Sequence, residues 1–166
     1  MAQQHEAARG RTKISNLSFG GTAAIVTSLA LIVGLDAATA TKRTIVSGLL
    51  IVALADNLTD ALSMHIYQES ERRLQAQEAF RATLSNFVTR LLLALTFVLL
   101  VLLLPLDRAI VLSAAWGLLL LVALTWALAR ERKVSFVSEA FKHIAAAVAV
   151  ILVSRGVGAL LAVQLP

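Results

Sequence analysis

Asp56, Asp60, Met64, Tyr67, Glu71 and Glu78 follow an apolar run, Ile45 to Ala55, and their spacing places them together on one helical face. At about 100° per residue, with Asp56 at zero, Asp60 falls near 40°, Met64 near 80°, Tyr67 near 20°, Glu71 near 60° and Glu78 near 40°. One side of such a helix carries four carboxylates, a thioether and a phenol. Carboxylate oxygens suit hard divalent ions, and a thioether favours softer ones. The chemistry to expect is the passage of a cation along a track of roughly 22 Å from Asp56 to Glu71, at about 1.5 Å per residue. Asn57, His65 and Glu69 lie close by as secondary positions, His65 and Glu69 being an i,i+4 pair. His65 points away from Asp56 and marks an interface more readily than a metal ligand.

The elements that must position this track are membrane helices. The chain has 166 residues, 58% hydrophobic and only 15% charged, where soluble domains are about 25% charged. Five segments of membrane length emerge, at about 17–35, 44–65 (extending to about 80), 84–104, 109–129 and 141–163. The expected fold is an all-α integral membrane domain over residues 14–166, after a disordered basic segment, 1–13. In the first span Gly20, Ala24 and Ser28 recur every four residues, a spacing that lets helices approach closely in lipid. No Gly or Pro interrupts 49–104, so the hairpin between the second and third spans turns without the usual punctuation, near Phe80 to Ser85. Pro105 stops the third span, Asp107 is the expected N-cap of the fourth, and Ser135 or Ser138 that of the fifth.

Charge sets the orientation. With the N-terminus inside, the cytoplasmic pieces hold Arg9, Arg11, Lys13, Arg72, Arg73, Arg81, Arg130, Arg132 and Lys133, and the outer pieces only Lys42, Arg43 and Arg108. That bias predicts a cytoplasmic N-terminus and an external C-terminus. The formal charge of +5 sits mostly at the ends of apolar runs, as membrane anchors rather than nucleic-acid contacts. Cysteine is absent, which excludes disulfides and thiolate metal sites. No nucleophile elbow, phosphate loop or His-Glu-x-x-His zinc motif is present, so no enzyme is expected.

An ionisable side chain inside a membrane costs roughly 2.5–3.5 kcal/mol on insertion scales, so Asp56, Asp60, Arg90 and Arg155 need partners or a wet path. By helix rise Asp56 lies about 18 Å from the outer end of its span and Arg155 about 12 Å from that of its own. The structural alternative to a path is two buried ion pairs, Asp56–Arg155 and Asp60–Arg90, which join helices and do nothing else. Glu139 and His143 form a further i,i+4 pair at the inner end of the fifth span, and Trp126 fits an interfacial anchor.

The stretch Gly20-Gly21-Thr22-Ala23-Ala24 through Leu35 resembles the first helix of the vacuolar iron transporter family. Gly48 through Glu71, with Ser63-Met64, resembles its second. The layout of five spans with an internal N-terminus is also similar. The resemblance implies a homodimer in the lipid bilayer, in a bacterial inner membrane, that exports Fe²⁺ or Mn²⁺ from the cytosol in exchange for protons. The ion is cargo, and no cofactor is held permanently. Met64 matches the family's pathway methionine, and Asp56 a position where the family usually has glutamate. The chain departs from the family at Ala23-Ala24, where an Asp-Gly pair is usual, at Asp60, where a small residue is usual, and in the short segment 66–83 that replaces a long glutamate-rich region. Asp60 can supply the carboxylate missing from the first helix.

Overall fold

The computed structural model describes residues 2–70 and 76–164, with side chains over 20–63, 66 and 83–164. The described residues form five helices and no strand: α1 (Ala2–Ala37), α2 (Lys42–Ser70), α3 (Ala76–Leu103), α4 (Leu106–Arg132) and α5 (Phe136–Gln164). Each holds a stretch long and apolar enough to cross a membrane: Gly20–Ala37, Lys42–Ser63, Thr83–Leu103, Leu106–Arg132 and Phe136–Gln164. This fits an integral membrane protein. The outward surface agrees, since Ile51, Leu54, Leu58, Leu62 and Ile66 form an exposed apolar stripe down α2.

Several boundaries differ from those read off hydropathy. Helix α1 begins at Ala2, so it continues through the segment expected to be disordered. Residues 2–16 contain no proline to stop it. Phe80 to Ser85, expected to turn, lie inside α3, and the α2–α3 connection falls at 71–75, outside the described residues. Hydropathy cannot see such a turn, because polar residues continue on both sides of it. At α4 the N-cap position is Pro105, in extended backbone with φ −55° and ψ 145°, and no side chain caps it. Asp107 sits instead in the first turn, where its charge complements the helix dipole.

Local chemistry fixes the other ends. Thr41 caps α2, its Oγ1 accepting from the Thr44 N–H at 3.2 Å. Lys133 ends α4 in the left-handed region, φ 56°, and the Val134 N–H donates to the Ala129 carbonyl at 3.1 Å. The Ser135 carbonyl accepts the first bond of α5, from the Glu139 N–H at 3.2 Å.

Helix α1 is the hub, packed against all four of the others. Gly20, Ala24 and Ser28 lie buried along it, as the four-residue spacing predicts. Ile25, Leu29 and Ile32 of α1 meet Ile45 and Leu49 of α2, Phe97, Val98 and Val101 of α3 and Ala109 of α4 in one core cluster. Against α5 the approach is backbone to backbone: a Cβ at Gly158 would overlap the Gly34 carbonyl oxygen, and one at Gly34 would come within 3.1 Å of the Ser154 carbonyl oxygen. Small residues allow that distance. Gly158→Val is expected to destabilise the detergent-solubilised protein by about 1–3 kcal/mol, the usual cost of overpacking. Gly156→Val, in open space, is expected to leave its thermal unfolding unchanged.

Candidate cation site

Helices α2 and α3 run antiparallel and are tied at two levels. At one end Lys42 Nζ donates to the carbonyl oxygens of Leu102 and Leu104, at 2.8 and 2.9 Å. These carbonyls close α3 and have no helical partner, so the ammonium satisfies them and meets the negative end of the dipole. The second tie lies deeper. Arg90 Nη2 donates to Asp56 Oδ2 at 2.7 Å, and Arg90 Nη1 pairs with Asp60 Oδ2. Lys42 to Asp56 and Arg90 to Leu104 are equal lengths of helix, roughly 21 Å each at about 1.5 Å per residue. One antiparallel register therefore satisfies both ties.

The geometry of the deep tie follows from the side chains. Asp56 and Asp60, one turn apart, present carboxylates at a spacing that the planar guanidinium fork can span. Arg90 reaches them across Gly20 of α1, where any Cβ would overlap Asn86 Oδ1 and press on the Arg90 stem. The arginine is the inner member, only 2% exposed, whereas the side chains of Asp56 and Asp60 are 45% and 39% exposed. Asp56 and Asp60 lie at the edge of the buried face of α2, which runs through Ile45, Leu49, Ala53 and Asn57. Two carboxylates and one guanidinium leave a net charge of −1 when all are ionised.

A small cavity of about 20 Å³ adjoins the cluster; Thr27, Ser28, Asp56, Asn57 and Arg90 line it together with apolar side chains of α1, α2 and α3 such as Leu31, Leu49 and Ala94. That is room for about one water molecule, or one ion stripped of its shell. Asn57 and Ser28 are buried there, so polar groups from two helices line the space beside the carboxylate. Arg90 Nε and Asn86 Oδ1 are buried without a hydrogen-bond partner among the described residues.

The structure thus redistributes the expected site. Asp56 and Asp60 come together, but on one arginine. The expected Asp56–Arg155 pair is not formed: Arg155 is exposed on α5, and Asp56 is held by Arg90. The Asp60–Arg90 pair is present. The continuous track to Glu78 is corrected as well, because α2 ends at Ser70 and Glu78 belongs to α3, after the chain has turned. Glu71 lies outside the described residues. Met64, His65, Tyr67 and Glu69 continue α2, with side chains outside the described set. Among the described residues no three acidic or histidine side chains gather as a metal cluster.

Asn57, a secondary position in the sequence, lines the cavity, whereas sequence reasoning missed Ser28 as a lining group and the double role of Arg90. Helix length held the signal for the last: Arg90 lies about 21 Å from the outer end of α3, close to the 18 Å of Asp56 and unlike the 12 Å of Arg155. Glu139 and His143 do not pair either. Glu139 bonds Lys142 at 2.8 Å, and His143 Nδ1 lies 2.9 Å from Thr125 Oγ1. The Thr125 hydroxyl gives its proton to the Leu121 carbonyl at 2.7 Å, so the Nδ1–H donates to Thr125. Trp126 is half exposed, with the Arg130 guanidinium 5.2 Å from its ring centre, as suits an anchor at a membrane boundary.

No family model matches the chain, and no curated protein or solved structure is significantly similar to it.

The arrangement can hold a positive charge beside two carboxylates, and it can also lock two helices. A double-mutant cycle separates the two candidate arginines. Asp56→Asn and Arg90→Gln are expected to couple by about 1–3 kcal/mol in thermal or denaturant unfolding, whereas Asp56→Asn and Arg155→Gln should be additive.

Proposed function

We propose that this protein is a membrane cation carrier whose ion site is the Asp56–Asp60 pair. The cargo is a divalent ion, Fe²⁺ or Mn²⁺, exported from the cytosol in exchange for protons, as the resemblance to vacuolar iron transporters implies. One observation carries the reading: among the described residues two carboxylates in a membrane-length helix share the Arg90 guanidinium and stay about two-fifths exposed, and Asp56 borders a small cavity with Thr27, Ser28 and Asn57 on its wall. An ion pair that served packing alone would be stoichiometric, since surplus charge in the bilayer is costly. Thr27, Ser28 and Asn57 add oxygen ligands of the kind a partly dehydrated cation needs. The charge bias of the flanks supports a cytoplasmic N-terminus in a plasma membrane, and a homodimer would cover the half-exposed carboxylates.

A second reading is favoured by the guanidinium fork itself: Asp56, Asp60 and Arg90 form a bridge that fixes α2 on α3 in a non-transporting protein. Uptake of Mn²⁺ into proteoliposomes decides between them. The carrier reading expects pH-gradient-driven uptake that Asp56→Asn reduces by at least about tenfold, a change equivalent to about 1.4 kcal/mol. Empty-vesicle rates with the wild-type protein would leave only the non-transporting bridge, and full uptake by Asp56→Asn with Arg90→Gln would place the ion path elsewhere.

A further inference from the structure

Arg90 is an odd neighbour for a divalent ion. Its guanidinium already occupies the positions from which a cation would bind both carboxylates, bonding Asp56 Oδ2 at 2.7 Å and pairing with Asp60 Oδ2. It is almost wholly buried, whereas both carboxylates keep an open side. With the arginine in place the cluster has a charge of −1, and a divalent ion added to it would leave +1 in a low-dielectric setting. That excess is costly, and the guanidinium and the ion would repel each other at a few ångströms. A divalent ion is accommodated well only when the guanidinium gives up the carboxylates.

The stem of Arg90 runs close past the Gly20 backbone of α1, where an added Cβ would stand 2.9 Å from its Cγ. Its head can make only a short shift, because the space beside it holds about one water molecule. The adjoining cavity is lined by Ser28, Thr27 and Asn57, whose oxygens can accept from a displaced guanidinium. Arg90 Nε is buried and has no hydrogen-bond partner among the described residues.

We infer that Arg90 is a tethered counter-cation that competes with the transported ion for Asp56 and Asp60 and so holds down the affinity of the site for divalent metal. This rests on the carrier reading of the same site and adds a specificity-determining residue to it. Competition of this kind serves release: the ion leaves a site whose carboxylates have an internal replacement, and they are never both bare in the membrane.

The test is Mn²⁺ binding to the purified full-length protein in detergent, followed by the loss of the free-ion paramagnetic resonance signal. Arg90→Gln should bind Mn²⁺ at least about tenfold more tightly than wild type, since the site charge becomes −2. Arg90→Lys, which keeps the charge but not the fork, should stay within about threefold of wild type, where a merely structural arginine would predict similar effects from both changes. Asn57→Asp adds a carboxylate at the cavity with Arg90 retained and should also bind more tightly, so it decides the matter if Arg90→Gln does not fold. Wild-type binding that Asp56→Asn abolishes, with no gain in Arg90→Gln or Asn57→Asp, would overturn the competition while leaving the ion site standing. No Asp56-dependent binding in any of these proteins would overturn both.

Discussion

The contact between one buried guanidinium and two carboxylates a helical turn apart is the constraint on which the rest of the bundle depends. Arginine and aspartate inside a bilayer must find each other or remain uncompensated, and the second outcome costs several kcal/mol per group by roughly the insertion scales. That requirement selects one register of α2 against α3, and the selected register also brings Lys42 over the last carbonyls of α3. It accounts for glycine at position 20 as well, since α1 must cross the arginine stem without a side chain of its own. Helix packing in lipid has no hydrophobic driving force, so a few polar contacts and close small-residue crossings decide the geometry.

Helix α1 supplies the complementary half of that logic. Its buried positions alternate between small residues, which admit neighbouring helices, and Ile25, Leu29 and Ile32, which fill the remaining space. Gly34 near its far end does for α5 what Gly20 does for α3. Leu29 in turn fits over Gly117 of α4, where a Cβ would collide with it. Ala24 is buried on the cavity wall, and among polar side chains α1 contributes to the cavity only through Thr27 and Ser28.

Much of this was legible in the sequence, and what was not has a physical reason. The five spans, the small-residue stripe on α1 and the closeness of Asp56 to Asp60 all follow from periodicity within one helix, which a single chain displays directly. The α2–α3 turn escaped because Gly and Pro are absent between 49 and 104, and polar helix-forming residues flank the break. Glu78 consequently falls on α3 and not on the α2 face that its spacing predicts. Pairing between helices depends on register and rotation, which one helix alone does not encode. Asp56 was therefore matched to Arg155 although its depth in the span agrees better with Arg90. A buried hydroxyl such as Ser28, set in a stripe of small residues, carries no sequence signal that separates it from ordinary packing residues.

The two ties between α2 and α3 have a mechanical meaning. Fastened at points roughly 21 Å apart along the helix axis, the pair resists both sliding and splaying like a beam pinned at two places. Shear there would sacrifice charge-assisted bonds worth about 1.5–3 kcal/mol each. No hydrogen bond among the described side chains joins α1 to either partner, so over those residues slip along the seam exchanges van der Waals contact. The bundle is thus stiff in one plane and compliant in another, and the polar cavity lies along the compliant one.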